Sequence, residues 1–412
     1  MTIVIIGLGF VGLTTALGFA DKGFKVYGYD INKSHTDKIA NGEVPFLEKG
    51  LPEALNRNLG SNFIVLRNIN ELAVDPNIVF FCVGTPCDES GRADLKYLKS
   101  AIDSIFDKVN PQCLLVVKST VPPGTTKNEV VPYVRSKGLV CSIAVNPEFL
   151  REGRCWQDFM EPDRIVCGIN DNAQDIRKLL NEIYTPFDAP IHFVTPNTAE
   201  FIKYLSNSML ASLISFSNEM AAAAEAAGDI SIGEAFKILH EDNRLSDSGI
   251  SQYIYPGCGY GGYCLPKDTV ALIQSAKGNG FTPKILQEVV QLNESMPRLT
   301  AEKIIRKTKS KADKIGILGL SFKPNSDDVR DSSAAKIIKA LHEEGYWNIS
   351  VFDPVANCNF DKEYKLPINY CSSIEEVCVS SSVVALVTIW SEFKDINKKY
   401  PDVEWVDCRY FL

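Results

Sequence analysis

Residues 1–30 read MTIVIIGLGFVGLTTALGFADKGFKVYGYD. A short apolar run, Ile3–Ile6, leads into Gly7-Leu8-Gly9-Phe10-Val11-Gly12, and a second run, Lys25–Tyr29, ends at Asp30. The pattern predicts a strand, a tight turn, a helix and a strand closed by an acid, which is the context a dinucleotide fingerprint requires. Each glycine has its own reason. Gly7 permits the turn, Gly9 lets backbone approach a pyrophosphate, and Gly12 lets helix and strand pack closely. The helix N-terminus, with Phe10 and Val11 in its first turn, carries the anion. A carboxylate at Asp30 accepts hydrogen bonds from ribose hydroxyls and repels a 2′-phosphate, so NAD is expected over NADP. A glycine-rich turn that binds nothing is the competing reading, and strand, spacing and acid together weigh against it.

Outward from this unit, further apolar runs follow at Ile78–Val83, Cys113–Lys118, Cys141–Val145 and Ile165–Gly168. Strands alternating with helical stretches predict an α/β fold with a mostly parallel sheet. From Asn197 a long run without Gly or Pro continues to Gly228, with Asn197 as expected N-cap and Glu200 in the capping-box position. It carries apolar residues almost all round, which predicts a buried helix serving as spine and subunit interface. Residues 197–300 read as helical, with breaks expected at Gly280, Pro283 and Pro297. Residues 315–353 then repeat the opening pattern, ending in Asp353. The expected organisation is an NAD-binding Rossmann-like domain (1–196), a helical central and dimerisation domain (197–300), and a second Rossmann-like domain (310–412).

Composition narrows the function. The 412 residues carry a net charge of −8, with 45% hydrophobic and 23% charged residues. Those are ordinary globular values, and the acidic balance argues against a nucleic-acid partner. No apolar run reaches the roughly 18 residues of a membrane span. The apolar N-terminus lacks a basic leader and a cleavage site, so a cytoplasmic chain without membrane attachment is expected. Twelve cysteines and four histidines show no zinc spacing, and no metal is expected.

Several segments carry chemistry. Thr85 and Thr120 each follow an apolar strand, where α/β sheets bind ligands; either residue alone could equally be a cap. Glu148 and Glu152, in Asn146-Pro-Glu-Phe149-Leu150-Arg-Glu152, offer carboxylates for general base work or form a solvated loop. Lys203 and Asn207 share a helix face. The lysine could clamp a developing oxyanion or merely pair with Glu200. The densest signal is Gly257-Cys-Gly-Tyr260-Gly261-Gly-Tyr-Cys264-Leu-Pro-Lys267-Asp268. Its glycines allow close approach to a ligand, and a cation beside Cys264 favours a thiolate nucleophile.

The stretches GYGGYCLPKD, NPEFLREG, CVGTP, KSTVPPGT, AEFIKYLSN and GLSFKPNSDDVRDS together resemble the UDP-glucose 6-dehydrogenase family of nucleotide-sugar dehydrogenases, over essentially the whole chain. The resemblance implies a homodimer that oxidises a UDP-sugar C6 alcohol to a carboxylate with two NAD. It implies Cys264 as nucleophile, Lys203 and Asn207 steadying the oxyanion, and Thr120, Glu148 and Asp268 handling water and protons. Glu152, Lys267 and Arg330 would border NAD. Phe149, Leu150, Tyr253, Gly257, Tyr260, Gly261 and Lys323 would hold the sugar nucleotide. Arg244 would reach the partner's substrate, although Ser246–Gly249 lengthens its loop. UDP-glucose is the expected substrate, with GDP-mannose and UDP-N-acetylhexosamines as alternatives. A plain two-electron dehydrogenase and a dinucleotide sensor are the other readings. Counting NADH per substrate separates them: two, one or none.

Overall fold

The computed structural model describes residues 1–170, 173–246 and 249–412. Asp247 and Ser248, within the lengthened loop after Arg244, lie outside the described residues. The chain divides into two compact units, Met1–Ser206 and Asn207–Leu412.

The first unit is built on one eight-stranded sheet. Its strands are β1 Thr2–Ile6, β2 Lys25–Tyr29, β3 Phe63–Leu66, β4 Ile78–Phe81, β5 Leu114–Val117, β6 Ser142–Val145, β7 Ile165–Gly168 and β8 Ile191–Val194. They lie in the order β3-β2-β1-β4-β5-β6-β7-β8. Every neighbouring pair is parallel except β6 with β7. The order reverses at β1, between β2 and β4, and the crevice beyond the carboxyl ends there is where such sheets take a ligand. Ile3, Val4 and Ile5 are fully buried because helices cover both faces. One face packs Phe19, Phe80 and Tyr184, the other Leu98, Ile102 and Val134. The sequence reading missed β3 and β8. These are the two edge strands, partly exposed and four residues long. His192 interrupts the apolar run of β8, whereas β3, Phe63–Leu66, is apolar throughout and carried a signal the sequence reading passed over.

The helix Pro196–Ala227 starts in the first unit and ends in the second. Its start differs from expectation. Pro196 occupies the first turn, where a missing N–H costs nothing, and the Thr195 hydroxyl accepts the Thr198 N–H. Asn197 is therefore inside the helix and Glu200 is not its capping-box partner. Nor is the helix buried all round. Phe201, Leu205, Met209, Phe216 and Met220 are exposed along one face, at helical spacing.

In the second unit helices fill Ile232–Leu239, Cys264–Gly278 and Lys284–Ile305. Pro297 does not break the last of these. It is buried within the helix, because proline removes one hydrogen bond without forbidding the turns on either side. The remaining sheet comprises β9 Ile315–Leu318, β10 Ile349–Phe352, β11 Asn369–Tyr370, β12 Val383–Leu386 and β13 Glu404–Asp407. The order is β11-β10-β9-β12-β13, all parallel. No helix among the described residues is long and apolar enough to cross a membrane.

Candidate active site

In the first unit the fingerprint glycines are each accounted for. Gly7 has φ +93°, and a Cβ there would meet the Cys82 carbonyl oxygen at 2.8 Å. A Cβ on Gly12 would lie 1.7 Å from the Gly7 carbonyl oxygen. A Cβ on Gly9 would meet no atom within 4 Å. Gly9 also caps the helix Phe10–Asp21 without any side-chain hydrogen bond, so no capping side chain competes with a bound pyrophosphate for the helix's first N–H groups. Phe10 stacks on Phe46 at 4.0 Å between ring centroids, while the Val11 carbonyl accepts the Thr15 hydroxyl. Asp30 ends β2 with its carboxylate fixed by two backbone donors, Leu8 N–H at 2.7 Å and Asn32 N–H at 2.8 Å. The residues present fit a dinucleotide.

The neighbouring strand ends converge. The Thr85 hydroxyl donates to the Thr120 carbonyl at 2.6 Å. Beyond β6, Glu148 accepts the Leu150 N–H at 2.6 Å and pairs with Lys203 at 2.8 Å, both side chains being at most 7% exposed. Burial opposes the Glu148 charge, but Lys203, the Leu150 N–H and Lys118 outweigh it and hold the carboxyl below the usual range. The anticipated Glu200–Lys203 pair is thereby replaced. Glu200 instead accepts the Gly124 and Thr126 N–H groups at 2.6 and 2.8 Å, and net desolvation lifts its carboxyl above the ordinary value. The Phe149 ring lies under Arg164, 4.3 Å from the guanidinium carbon. Glu152 follows in the turn before Gly153, whose N–H donates to buried Glu48. A cavity of about 280 Å³ opens beside this group, lined by Lys118, Asn146, Glu148, Phe149, Leu150 and Arg164 among others.

In the second unit, Cys264 is exposed at the first position of the fifteen-residue helix Cys264–Gly278. A helix N-terminus favours an anion there. Lys267 and Asp268 lie one turn on. Asp268 accepts the Lys267 ammonium at 2.5 Å and the Asn207 amide at 2.6 Å. Burial would push Lys267 down, but Asp268, with Tyr263 and Cys264, holds it above the ordinary lysine value. Arg330, clasped by Asp328, lies over the Tyr263 ring at 4.7 Å.

The glycine loop before Cys264 departs from expectation in its reason. Protein atoms, not an open ligand space, fill the room a side chain would take. A Cβ on Gly257 would strike Arg409, on Gly259 Asn293, on Gly261 the Asp331 carbonyl oxygen at 2.3 Å, and on Gly262 the Phe322 ring. Asn293 accepts the Tyr260 N–H and donates to its carbonyl. Tyr253 ends a short 3-10 turn, Ile250–Tyr253. Lys323 lies over Phe322. Arg244 is exposed and folded back onto Asp242.

The sequence reading assigned no role to Lys118, Asn146, Asn293 or Arg409. A lysine closing an apolar strand was the available signal for Lys118. Asn146 reaches Lys118 through its side-chain amide, Asn293 bonds the Tyr260 backbone and Arg409 packs against Gly257, pairings that residue type alone does not reveal.

Fold and site together define an NAD-dependent nucleotide-sugar dehydrogenase. Residues 1–188, 197–295 and 316–412 match in turn the NAD-binding, central and UDP-binding domains of one family, and the chain belongs to that UDP-glucose/GDP-mannose dehydrogenase family. It is 37% identical over 406 residues to a UDP-glucose 6-dehydrogenase of Rickettsia felis, covering 96% of this chain and 88% of that one. Among solved structures it resembles a UDP-glucose dehydrogenase from Pyrobaculum islandicum, with TM-score 0.90, 35% identity, and 100% and 94% of the two chains covered. A UDP-D-ManNAc dehydrogenase from Pyrococcus horikoshii superposes with TM-score 0.87 at 26% identity, covering 100% and 96%.

Proposed function

We propose that the chain oxidises the C6 alcohol of UDP-glucose to the carboxylate of UDP-glucuronate, consuming two NAD and one water. The observation that carries the four-electron reading is Cys264, exposed at a helix N-terminus one turn from the Lys267–Asp268–Asn207 group. A two-electron dehydrogenase has no use for that thiol. Bound NAD supplies the hydride acceptor for each oxidation. Cys264 adds through sulfur to the C6 aldehyde, giving a thiohemiacetal whose oxidation leaves a thioester. Water then cleaves the carbon–sulfur bond and returns the thiol. Lys203 and Asn207 steady the C6 oxygen as it gains charge. Glu148, held ionised, takes protons from the alcohol and the water, and Asp268 and Thr120 share in handling them. Asp30 selects NAD, Thr85, Glu152, Lys267 and Arg330 border it, and Phe149, Leu150, Tyr253, Gly257, Tyr260, Gly261 and Lys323 hold the sugar nucleotide.

The exposed apolar face of Pro196–Ala227 supports a homodimer, in which Arg244 reaches the partner's substrate. The division into domains at 1–196, 197–300 and 310–412 belongs to the same reading, and buried thiols such as Cys167 and Cys378 suit a reducing cytoplasm. The test is NADH yield with limiting UDP-glucose, UDP-N-acetylglucosamine and GDP-mannose. Two NADH per UDP-glucose, at the highest kcat/KM of the three, is expected. A clear preference for another sugar overturns the substrate, and one NADH per sugar overturns the chemistry.

A further inference from the structure

Lys118 follows β5 and is 4% exposed. A buried ammonium is costly unless a charge offsets it. Its Nζ donates to Asn146 Oδ1 at 2.8 Å, and that oxygen is neutral. The same Oδ1 accepts the Tyr184 hydroxyl, while Asn146 Nδ2 donates to the Val166 carbonyl at 2.8 Å and Asn146 N–H to the Val117 carbonyl at 2.9 Å. Asn146 is thus fastened at the end of β6, two residues before Glu148. The Phe159 ring lies 5.8 Å from the Lys118 ammonium. The other titratable groups acting on it are the Cys82 and Cys167 thiols, Lys203 and Glu148. Burial drives both thiols up to about 12, so they are neutral at ordinary pH. Of the groups just named, the carboxylate is Glu148, and it is already in contact with Lys203.

Burial holds the Lys118 ammonium below the ordinary lysine value, and Lys118, which lines the same cavity as Glu148, is the second buried lysine acting on that one carboxylate. We propose that Lys118 is a positioning residue for Glu148: it anchors the root of the Glu148 turn through Asn146 and supplies a second cation that keeps the carboxylate ionised when Lys203 turns to the substrate oxygen. With Lys203 alone, each movement of that ammonium toward an oxyanion would leave Glu148 a bare buried charge. With Lys118 behind it, the carboxylate stays charged and able to accept a proton. Around Glu148, Lys203 comes from the long helix, Lys118 from the end of β5 and the Leu150 N–H from its own loop. The Cys155 and Cys82 thiols also lie within its field, both neutral through burial.

The inference rests on the reading of Glu148 as proton acceptor, and the experiment separates the two. The pH dependence of kcat for UDP-glucose oxidation is measured for wild type, Lys118→Met, Lys118→Arg, Asn146→Asp and Glu148→Gln. Each variant is first checked by circular dichroism and NAD binding. Glu148→Gln should abolish the acid limb. Lys118→Met should move that limb to higher pH by about one unit, since Glu148 then protonates more easily, and Lys118→Arg should restore it. Asn146→Asp keeps the size of the side chain but neutralises the second cation. It should shift the limb the same way even if Lys118→Met fails to fold. If Glu148→Gln keeps the wild-type limb, the reading of Glu148 falls and the inference with it. If Glu148→Gln loses the limb while Lys118→Met or Asn146→Asp, whichever is folded, leaves it in place, the role of Lys118 alone is overturned.

Discussion

Glu148 and Lys203 meet at 2.8 Å with neither side chain more than 7% exposed. Removing one partner takes from the other its contact counter-charge, a penalty of up to roughly 3–5 kcal/mol, which Lys118 and the Leu150 N–H offset in part on the Glu148 side. Lys203→Met should therefore lower the melting temperature as well as activity, and Lys203→Met/Glu148→Gln should regain part of the stability but no activity. The pH sign follows from the depressed Glu148 carboxyl. Its stabilising contribution is present above the ordinary glutamate range and is lost as pH falls through the lower folded value. Wild type should lose more stability on acidification than the double variant, and thermal melts across pH check this.

Gly9 and Gly261 both stand in glycine-rich motifs, yet substitution should separate them. A methyl on Gly9 meets nothing, so Gly9→Ala should change stability by no more than about 0.5 kcal/mol while weakening NAD binding. A methyl on Gly261 would overlap the Asp331 carbonyl, so Gly261→Ala should destabilise the protein. Parallel melts and NAD titrations decide it. A stable Gly261→Ala, or a Gly9→Ala with wild-type NAD affinity, contradicts the assignment.

Asp30 should set cofactor choice. Wild type is expected to use NAD and to turn over NADP poorly. Asp30→Ala should narrow the ratio of kcat/KM values roughly tenfold, about 1.4 kcal/mol. Wild-type use of both cofactors at similar kcat/KM would show that the carboxylate does not discriminate.

Cys264→Ala should still bind NAD and sugar nucleotide, because the glycines and Lys323 are unchanged. It should give at most one NADH per sugar and no protein-bound adduct by intact mass, where wild type gives two. In native protein, Cys264 and Cys358 are the exposed thiols among the described residues and should alkylate first, with substrate shielding Cys264. Uronate formation near the wild-type rate in Cys264→Ala would dismiss the thioester route.

How far the sequence carried the structure depends on what each feature rests on. The α/β class, the central strands and the Gly7–Asp30 unit were legible because fully buried strands are apolar throughout and a dinucleotide turn needs glycine at fixed spacing. Edge strand β8 was not, since His192 interrupts its apolar run, whereas β3, Phe63–Leu66, keeps the apolar signature and was legible in principle. In the candidate site, residue type and spacing pointed to Glu148, Lys203, Asn207, Cys264 and Asp268 as chemically capable. Partner choice was not legible. Lys203 could have paired with Glu200 one turn away, and it takes Glu148 from a distant loop while Glu200 turns to Gly124 and Thr126. Local spacing ranks neighbours on a helix, but buried charge goes wherever the tertiary fold brings a counter-charge. Asn293 gave no signal either, because its work is to bond the backbone of Tyr260.

The strand-turn-helix-strand pattern occurs twice, and its closing acids have gone different ways. Asp30 receives two backbone N–H groups and remains half exposed. Asp353, at the matching place after β10, is 2% exposed. It accepts the N–H groups of Leu320, Ser321, Val355 and Ala356, the Ser321 hydroxyl and the Trp390 indole. Those six donors leave that carboxylate no lone pair to offer a ribose. One copy of the motif leaves its acid accessible, as a reader of sugar hydroxyls requires, and the other has made it a keystone. Whatever nucleotide the second unit takes must therefore be held by groups other than the acid that closes its motif.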